Sequence, residues 1–245
     1  MNIAYKPPGI PLGQLTKQIS QDTQTKVSYV GRLDPMASGI IIYLHGNECK
    51  NKENYMNLDK TYKFNIIIGI STDTNDCLGI INNYKPTNTL NFNNFQNIIS
   101  QFNNSTYEQK YPIYSAYTIR KNGIKKPLWY FAKYHTLSPN EIPTHQINIY
   151  QLEQYPSPIF TIRSNNYFIE QIAALPDGLN LRKEEILQQY QEMDNVKCIG
   201  IPMVAKVSTG TYIRQLCADI GEKIGIPCMA DKIERVGYHL KRSEV

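Results

Sequence analysis

The feature that most constrains the fold is a set of short, strongly apolar runs. Residues 40–44 read IIIYL, residues 61–70 read TYKFNIIIGI, and residues 201–208 read IPMVAKVS. Runs of this length that are rich in β-branched and aromatic residues predict buried strands. Helical patterns lie between them without a regular strand–helix–strand repeat. We therefore predict an α+β fold, with a mixed or mainly antiparallel central sheet flanked by helices.

The clearest helical pattern is TGTYIRQLCADIGEKIG, residues 209–225. We expect Thr211 to be the N-cap of this helix and Gly225 to end it. A weaker pattern, KEEILQQYQEM, predicts a helix within residues 164–197, where the sequence shows no chemistry. The apolar face of the helix predicted within 209–225 consists of Ile213, Leu216, Cys217, Ile220 and Ile224.

Composition narrows the class of protein. The chain has 245 residues, 41% of them hydrophobic, enough for one large core, and its net charge of +5 is compatible with a polyanionic partner without being diagnostic. Five cysteines and four histidines are scattered without metal-ligand spacing, so we expect no metal site and a reducing compartment. No apolar run approaches the ~20 residues of a membrane span, and no targeting segment is visible. We expect a cytoplasmic protein that does not enter a membrane.

The segment GRLDPMASG, residues 31–39, allows two interpretations. An aspartate followed by proline is a common helix start, which would make Asp34 an N-cap. However, Ser38 and Gly39 interrupt the pattern within about one turn. A glycine-bounded loop that leads into a buried strand can also hold one side chain rigidly at the mouth of a cleft. Both interpretations remain open on these residues alone.

Residues 111–133, YPIYSAYTIRKNGIKKPLWYFAK, mix aromatic and basic side chains. A solvated hairpin with a few packed rings would explain this composition. A surface for single-stranded nucleic acid would explain it equally well, because rings stack on bases while cations contact phosphates.

The segment GRLDPMASG resembles the catalytic motif of the TruB family of RNA pseudouridine synthases, Gly-x-Leu-Asp-Pro-x-Ala-(Ser/Thr)-Gly. Five further segments resemble that family in the same order. The resemblance implies the pseudouridine synthase catalytic fold with an RNA-binding cleft, as a single domain over residues 1–245 with an insertion at 164–197 and no C-terminal PUA domain. The five segments are KPPGI at 6–10, DKTYKFNIIIGISTDTNDCLG at 59–79, residues 111–133, STGTYIRQLCADIGEKIG at 208–225 and IERV at 233–236.

The resemblance also assigns roles. It makes Asp34 the catalytic aspartate, Arg214 its ion-pair partner, Tyr62 the ring that stacks under the extruded base, and Tyr212 a second tyrosine of the active site. Alternatives remain for each companion: Tyr62 could simply pack in its strand, and Tyr212 and Arg214 could be ordinary residues at the start of a helix. The candidate substrate-binding residues are Tyr29, Arg32, Lys60, Asp73, Lys121, Lys125, Lys126 and Ile233, of which Ile233 could equally belong to the core.

Two residues depart from the family pattern. Tyr29 stands where the family usually has a histidine, and Arg32 before Leu-Asp is similar to the RluA-type synthases. The resemblance implies a tRNA pseudouridine synthase that acts on a T-loop uridine (Ψ55). Its expected partner is RNA, namely the T-arm of tRNA, and we expect a monomer with no cofactor and no metal. The alternatives are a synthase for a different RNA uridine, or a non-catalytic module that binds or folds RNA.

Overall fold

The computed structural model describes residues 2–87, 90–135, 137–155, 161–177, 179, 181–193 and 196–240. Its centre is a mainly antiparallel sheet with the strand order β1-β3-β13-β4-β12-β10-β7, in which β2 also pairs with β3 and β11 with β12. The strands are β1 Asn2–Lys6, β2 Val27–Val30, β3 Ser38–His45, β4 Asp59–Ile68, β5 Ile70–Thr72, β6 Ile81–Tyr84, β7 Ser105–Lys110, β8 Thr118–Lys121, β9 Ile124–Pro127, β10 Thr144–Gln154, β11 Thr161–Ser164, β12 Lys197–Val207 and β13 Cys228–His239.

Helices flank the sheet, and two hairpins, β5–β6 and β8–β9, lie outside it. The three apolar runs that predicted strands form β3, β4 and β12, and only the β3–β13 pairing is parallel within the described sheet. The predicted α+β class is confirmed. The helices are α1 Leu12–Thr23, α2 Glu53–Met56, α3 Phe92–Phe102, α4 Leu128–Tyr134, α5 Asn165–Ala173, α6 Lys183–Glu192 and α7 Ile213–Ile224.

The central strand β4 is buried on both faces. Ile66 and Ile68 belong to one apolar cluster, which α3 and α7 cover, while Ile67 between them belongs to a second cluster, which α5 and α6 cover. This follows from the alternation of side chains along a strand. The three consecutive isoleucines of this strand therefore reflect two cores, one on each side of the sheet.

Helix α7 begins one residue later than expected. Its N-cap is Tyr212, which makes no side-chain capping bond, so the prediction of Thr211 was wrong. The hydroxyl of Thr211 instead donates to the carbonyl of Ser208 at 2.9 Å and stabilises the turn before the helix. The predicted end is confirmed, because Gly225 adopts φ 72°, a left-handed conformation that glycine takes without strain.

The loop before β3 contains no helix, so Asp34 does not act as an N-cap. The loop makes a turn in which the amide of Ala37 donates to the carbonyl of Asp34 at 3.1 Å. The buried ammonium of Lys6 donates to the carbonyls of Pro35 at 2.9 Å and Ala37 at 2.6 Å. These bonds attach the loop to β1.

A second buried cation holds the other side of this loop. Nε of Arg235 in β13 donates to the carbonyl of Ile40 at 2.9 Å, and its terminal nitrogen donates to the carbonyl of Gly31 at 3.1 Å. The strands meet closely here, since a Cβ on Gly39 would lie 2.2 Å from the backbone oxygen of Arg235. The segment that carries Asp34 is therefore fixed at both ends.

The segment predicted to be an insertion, residues 164–197, starts at the last residue of β11 and contains α5 and α6, and the KEEILQQYQEM helix is present as α6. Phe168 and Ile172 of α5 and Ile186 and Tyr190 of α6 are fully buried in the second apolar cluster. No helix in the described part of the chain is long and apolar enough to cross a membrane.

Candidate active site

The loop before β3 and the first turn of α7 bring Asp34 and Arg214 together. Nε of Arg214 donates to Oδ2 of Asp34 at 2.7 Å. The arginine side chain is 3% exposed, whereas the aspartate side chain is 31% exposed. The arginine thus lies inside the protein and the carboxylate lies at its surface, open to a ligand.

Arg214 has three further partners. Its terminal nitrogens donate to the carbonyl of Thr74, and to the carbonyl of Tyr114 at 3.3 Å. Its Nε also lies 3.6 Å from Oδ2 of Asp76. Burial by itself lowers the pKa of Arg214, but the charges of Asp34 and Asp76 outweigh burial and raise it, so the guanidinium stays charged.

Asp76 is the more deeply buried of the two carboxylates. Its Oδ1 accepts from the hydroxyl of Thr74 at 2.6 Å and from the amide of Leu78 at 2.9 Å. Burial raises the pKa of Asp76, and the charge of Arg214 opposes that rise. Asp34, Arg214 and Asp76 therefore form one electrostatic unit, in which a single cation lies between two carboxylates.

Asp34 lies where two cavities meet. The larger has a volume of about 520 Å³, and the smaller, of about 290 Å³, shares Asp34 and Asp76 with it. Cations and aromatic rings surround the larger cavity, whereas Ile233 and Met36 contribute to the smaller one. The cations and rings of the larger cavity are Arg32, Lys133, Arg182, Tyr29, Tyr114 and Trp129.

Tyr212 is half-buried beside this unit. Burial, with the charge of Asp34 as the next cause, raises the pKa of Tyr212 to about 12. Its backbone amide donates to Oε1 of Gln109 at 2.8 Å, which fixes the start of α7 against β7. The phenol therefore stays protonated near Asp34 and can donate a hydrogen bond.

Two of the predicted base contacts are buried. Tyr62 on β4 is 6% exposed and belongs to the same apolar cluster as Leu33, next to Asp34 in the chain. It is not among the residues that line either cavity. Ile233 is also buried in that cluster, but it reaches the smaller cavity together with Asp34.

The two residues that depart from the family pattern lie together. Tyr29 and Arg32 both line the larger cavity, and a terminal nitrogen of Arg32 donates to the hydroxyl of Tyr29 at 3.1 Å. The ammonium of Lys52 lies 5.2 Å from the centroid of the Tyr29 ring. The prediction that Tyr29 and Arg32 contact substrate is compatible with this position.

The predicted lysine contacts differ in their surroundings. Lys60 is 5% exposed, its ammonium donates to the carbonyl of Leu58 at 2.5 Å, and it lines neither cavity. Burial, reinforced by the charge of Arg235, lowers the pKa of Lys60 to about 8. By contrast, Lys125 and Lys126 are exposed on β9.

Lys121 and Asp73 are each held in an ion pair. The ammonium of Lys121 on β8 lies 2.7 Å from Glu141. Asp73 accepts two bonds from the guanidinium of Arg182, at 2.7 and 3.0 Å. Asp73 thereby connects the loop after β5 to the segment before α6.

Arg182 was not selected as a site residue from the sequence. It belongs to the segment in which no chemistry was visible, yet it lines the larger cavity and its guanidinium lies 4.7 Å from the centroid of the Tyr114 ring. Asp76 shares an acidic loop with Asp73, and no local pattern distinguishes the buried carboxylate of Asp76 from the partly exposed carboxylate of Asp73. Among the described residues, no three His, Cys, Asp or Glu side chains gather to hold a metal ion.

Comparisons with known proteins show what the chain is similar to. The family model described as "TruB family pseudouridylate synthase (N terminal domain)" matches residues 17–165. The chain is 26% identical over 256 residues to "tRNA pseudouridine synthase 4" of Saccharomyces cerevisiae, covering 90% of this chain and 62% of the relative. It is 30% identical over 220 residues to "tRNA pseudouridine synthase B" of Mycoplasma mycoides, covering 89% of this chain and 60% of the relative. The chain thus spans about three fifths of the length of these relatives.

Solved structures share the fold. A crystal structure of a Cbf5-Nop10-Gar1 complex matches with a TM-score of 0.55 at 14% identity, covering 96% of this chain and 47% of that chain. A crystal structure of the archaeal box H/ACA sRNP Nop10-Cbf5 complex matches with a TM-score of 0.51 at 14% identity, covering 96% and 46%. On the family match over more than half of its residues, the chain belongs to the TruB family of pseudouridylate synthases.

Proposed function

We propose that the chain is a tRNA pseudouridine synthase that isomerises a uridine in the T-loop. The observation that carries the proposal is the carboxylate of Asp34, which is held by the buried Arg214 and exposed where two cavities meet. The names of the relatives support tRNA as the substrate class. The rings and cations of the larger cavity suit an RNA ligand, because rings stack on bases and cations contact phosphates.

The reaction breaks the C1′–N1 bond of uridine and joins C1′ to C5. The C5 proton is lost and N1 ends with a proton, so no electrons are transferred and no redox cofactor is required. We assign Asp34 the role of nucleophile or base toward the sugar or base. Arg214 orients this carboxylate through the 2.7 Å bond from its Nε and places a positive charge beside it. The rigid loop then supplies a high effective concentration of the reactive oxygen.

The target uridine must leave its stack to reach Asp34, at a cost of a few kcal/mol. We assign Ile233, which lines the smaller cavity, to the apolar surface against which the extruded base packs, and Tyr212 to a hydrogen bond near Asp34. We keep Tyr62 as the stacking ring that the resemblance implies; because it is 6% exposed and lines neither cavity, the side chains that cover it must move for its ring to reach the base. Phosphate contacts are assigned to exposed cations, namely Arg32 at the cavity and Lys125 and Lys126 on the β8–β9 hairpin. Such contacts strengthen binding without selecting a sequence.

An unmodified tRNA transcript tests this proposal. The protein is incubated with the transcript, pseudouridines are mapped at single-nucleotide resolution, and the experiment is repeated with Asp34→Asn. Product at the T-loop that is lost in the variant supports the proposal. Product at another uridine would replace the T-loop target with a different RNA site. RNA binding without any product from the parent protein would support a non-catalytic RNA-binding module instead.

We also propose that residues 1–245 act as a single catalytic domain in which 164–197 is an insertion, and that the protein works as a cytoplasmic monomer without a cofactor. Burial of α5 and α6 against the sheet supports the single domain. Light scattering of the purified chain tests the monomer. A single cooperative unfolding transition, followed by both fluorescence and circular dichroism, tests the domain organisation.

A further inference from the structure

Three aromatic rings from distant segments form a column near the candidate active site. The ring centroids of Tyr117 and Tyr111 are 3.8 Å apart, with an interplanar angle of 22°. The rings of Tyr111 and His145 are 4.2 Å apart, with an angle of 24°. Rings at these distances and angles are stacked face to face, like consecutive bases in a nucleic acid strand.

The inner end of the column is fixed in place. Nε2 of His145 lies 3.1 Å from the carbonyl of Gly210, which accepts a hydrogen bond from it. The ring of Tyr212 lies edge-on to Tyr111 at 5.8 Å and to His145 at 6.2 Å. The charge of Asp34 also acts on Tyr212, where it contributes to the raised pKa of the phenol. Tyr212 therefore lies between the column and the candidate active site.

The outer end of the column is open. Tyr117 is 39% exposed. Tyr111 covers one face of its ring, and among the described residues no other aromatic ring and no cation packs on Tyr117. Tyr117 directly follows Ser115 and Ala116, which line the larger cavity, so its backbone lies beside that cavity.

Basic side chains follow the outer end of the column in the chain. The β8–β9 hairpin begins at the residue after Tyr117 and exposes Arg120, Lys125 and Lys126. The hairpin is attached to the column by the bond from the amide of Leu128 to the carbonyl of Tyr117, at 2.7 Å. A stacking ring followed by a row of cations matches the requirements of a single-stranded nucleic acid site, in which bases stack on rings and cations follow the phosphates.

We propose that the open face of Tyr117 is a stacking site for an unpaired nucleobase of the substrate RNA that neighbours the extruded uridine. The base would extend the column of Tyr117, Tyr111 and His145 outward, while the hairpin cations contact its phosphates. Stacking tolerates any base, so this site contributes affinity and register and leaves the choice of sequence to other contacts. The inference rests on the proposed function for the identity of the RNA.

Binding measurements in the Asp34→Asn background test the site without product formation. The probe is a fluorescently labelled, unmodified tRNA transcript. Tyr117→Leu should weaken binding about 5- to 150-fold, which corresponds to the loss of one stacked base. Tyr117→Phe keeps the ring and should bind within about twofold of the parent, here the protein that carries Asp34→Asn alone. The matched control is Tyr155→Leu, which removes an equally exposed tyrosine outside the column, and it should also bind within about twofold.

A second readout locates the base. Transcripts that carry 2-aminopurine on one or the other side of the target uridine should show quenching by the parent protein and by Tyr117→Phe, but not by Tyr117→Leu. The inference is overturned if Tyr117→Leu binds within twofold of the parent, or if Tyr117→Phe loses as much affinity as Tyr117→Leu. If the ring dependence holds but the protein with Asp34 intact makes no pseudouridine, the stacking site stands and the proposed activity fails.

Discussion

Replacing Arg214 with methionine keeps the approximate length of the side chain and removes its charge. Asp76 then stays buried without the guanidinium 3.6 Å away, and Asp34 loses its 2.7 Å partner. Removing one partner of a buried ion pair costs about 3–5 kcal/mol. Because the Asp34 side chain is 31% exposed and solvent screens it, we expect a loss near the lower end, about 3 kcal/mol. For a chain of this length, that corresponds to a fall in Tm of about 6–12 °C.

Thermal unfolding of Arg214→Met measures this loss, and a second substitution tests its cause. If the loss arises from an uncompensated buried charge, adding Asp76→Asn should recover at least about 1 kcal/mol. The losses of the two single variants would simply add if the charge were irrelevant, and that result would refute the reasoning. Pseudouridine formation should fall about 100-fold in Arg214→Met because Asp34 loses its orientation, and Asp76→Asn should not restore it.

Three further predictions concern the surroundings of the site. The Arg182–Asp73 pair is partly buried, so a double-mutant cycle of Arg182→Ala and Asp73→Ala in urea should show a coupling of about 1 kcal/mol; additive losses would contradict this. Burial lowers the pKa of Lys6 and of Lys60 from 10.5 to about 8, so above pH 8 the unfolded chain binds more protons than the folded chain. The free energy of unfolding should therefore rise from pH 8 to about pH 9. At higher pH the buried thiols oppose this rise, because burial raises their pKa and they ionise more readily in the unfolded chain. Urea midpoints across this range should rise in the parent and about half as steeply in Lys6→Met; a flat parent profile would contradict the burial of these charges. Gly39→Ala places a Cβ 2.2 Å from a backbone oxygen of β13 at φ 116°, so it should displace the loop and lower pseudouridine formation about 100-fold, measured in the tRNA assay; a parental rate would show that the loop position is not critical.

Local patterns predicted the helix and the strands whose apolar residues form an unbroken face or run in the sequence. The apolar face of 213–224 is strict and Gly225 adopts the left-handed conformation that ends a helix, so α7 was predictable to within one residue. Its N-cap was not, because the hydroxyl of Thr211 bonds to the turn before the helix and not to the helix amides. Strands β3, β4 and β12 were predictable because a short continuous apolar run is by itself typical of a buried strand.

Contacts between distant segments could not be predicted from local patterns. Asp34 and Arg214 are separated by 180 positions, and their pairing at 2.7 Å was expected only from the family resemblance. Lys60 looked like a surface cation, but β4 is central to the sheet and Lys60 is paired on both sides, with β12 and β13, so the side chain is buried. Arg182 carries no local signature, because its role depends on Asp73 and Tyr114 from other loops.

Release of tritium from uridine tests the central claim most directly. An unmodified tRNA transcript labelled with tritium at C5 of uridine loses that label when C1′ is joined to C5. The protein should release the label of one uridine per tRNA, Asp34→Asn should release none above background, and Asp22→Asn, an exposed aspartate on α1, should match the parent. Release by Asp34→Asn at the parental rate, or no release by the parent protein, would contradict the assignment of Asp34 as the catalytic carboxylate.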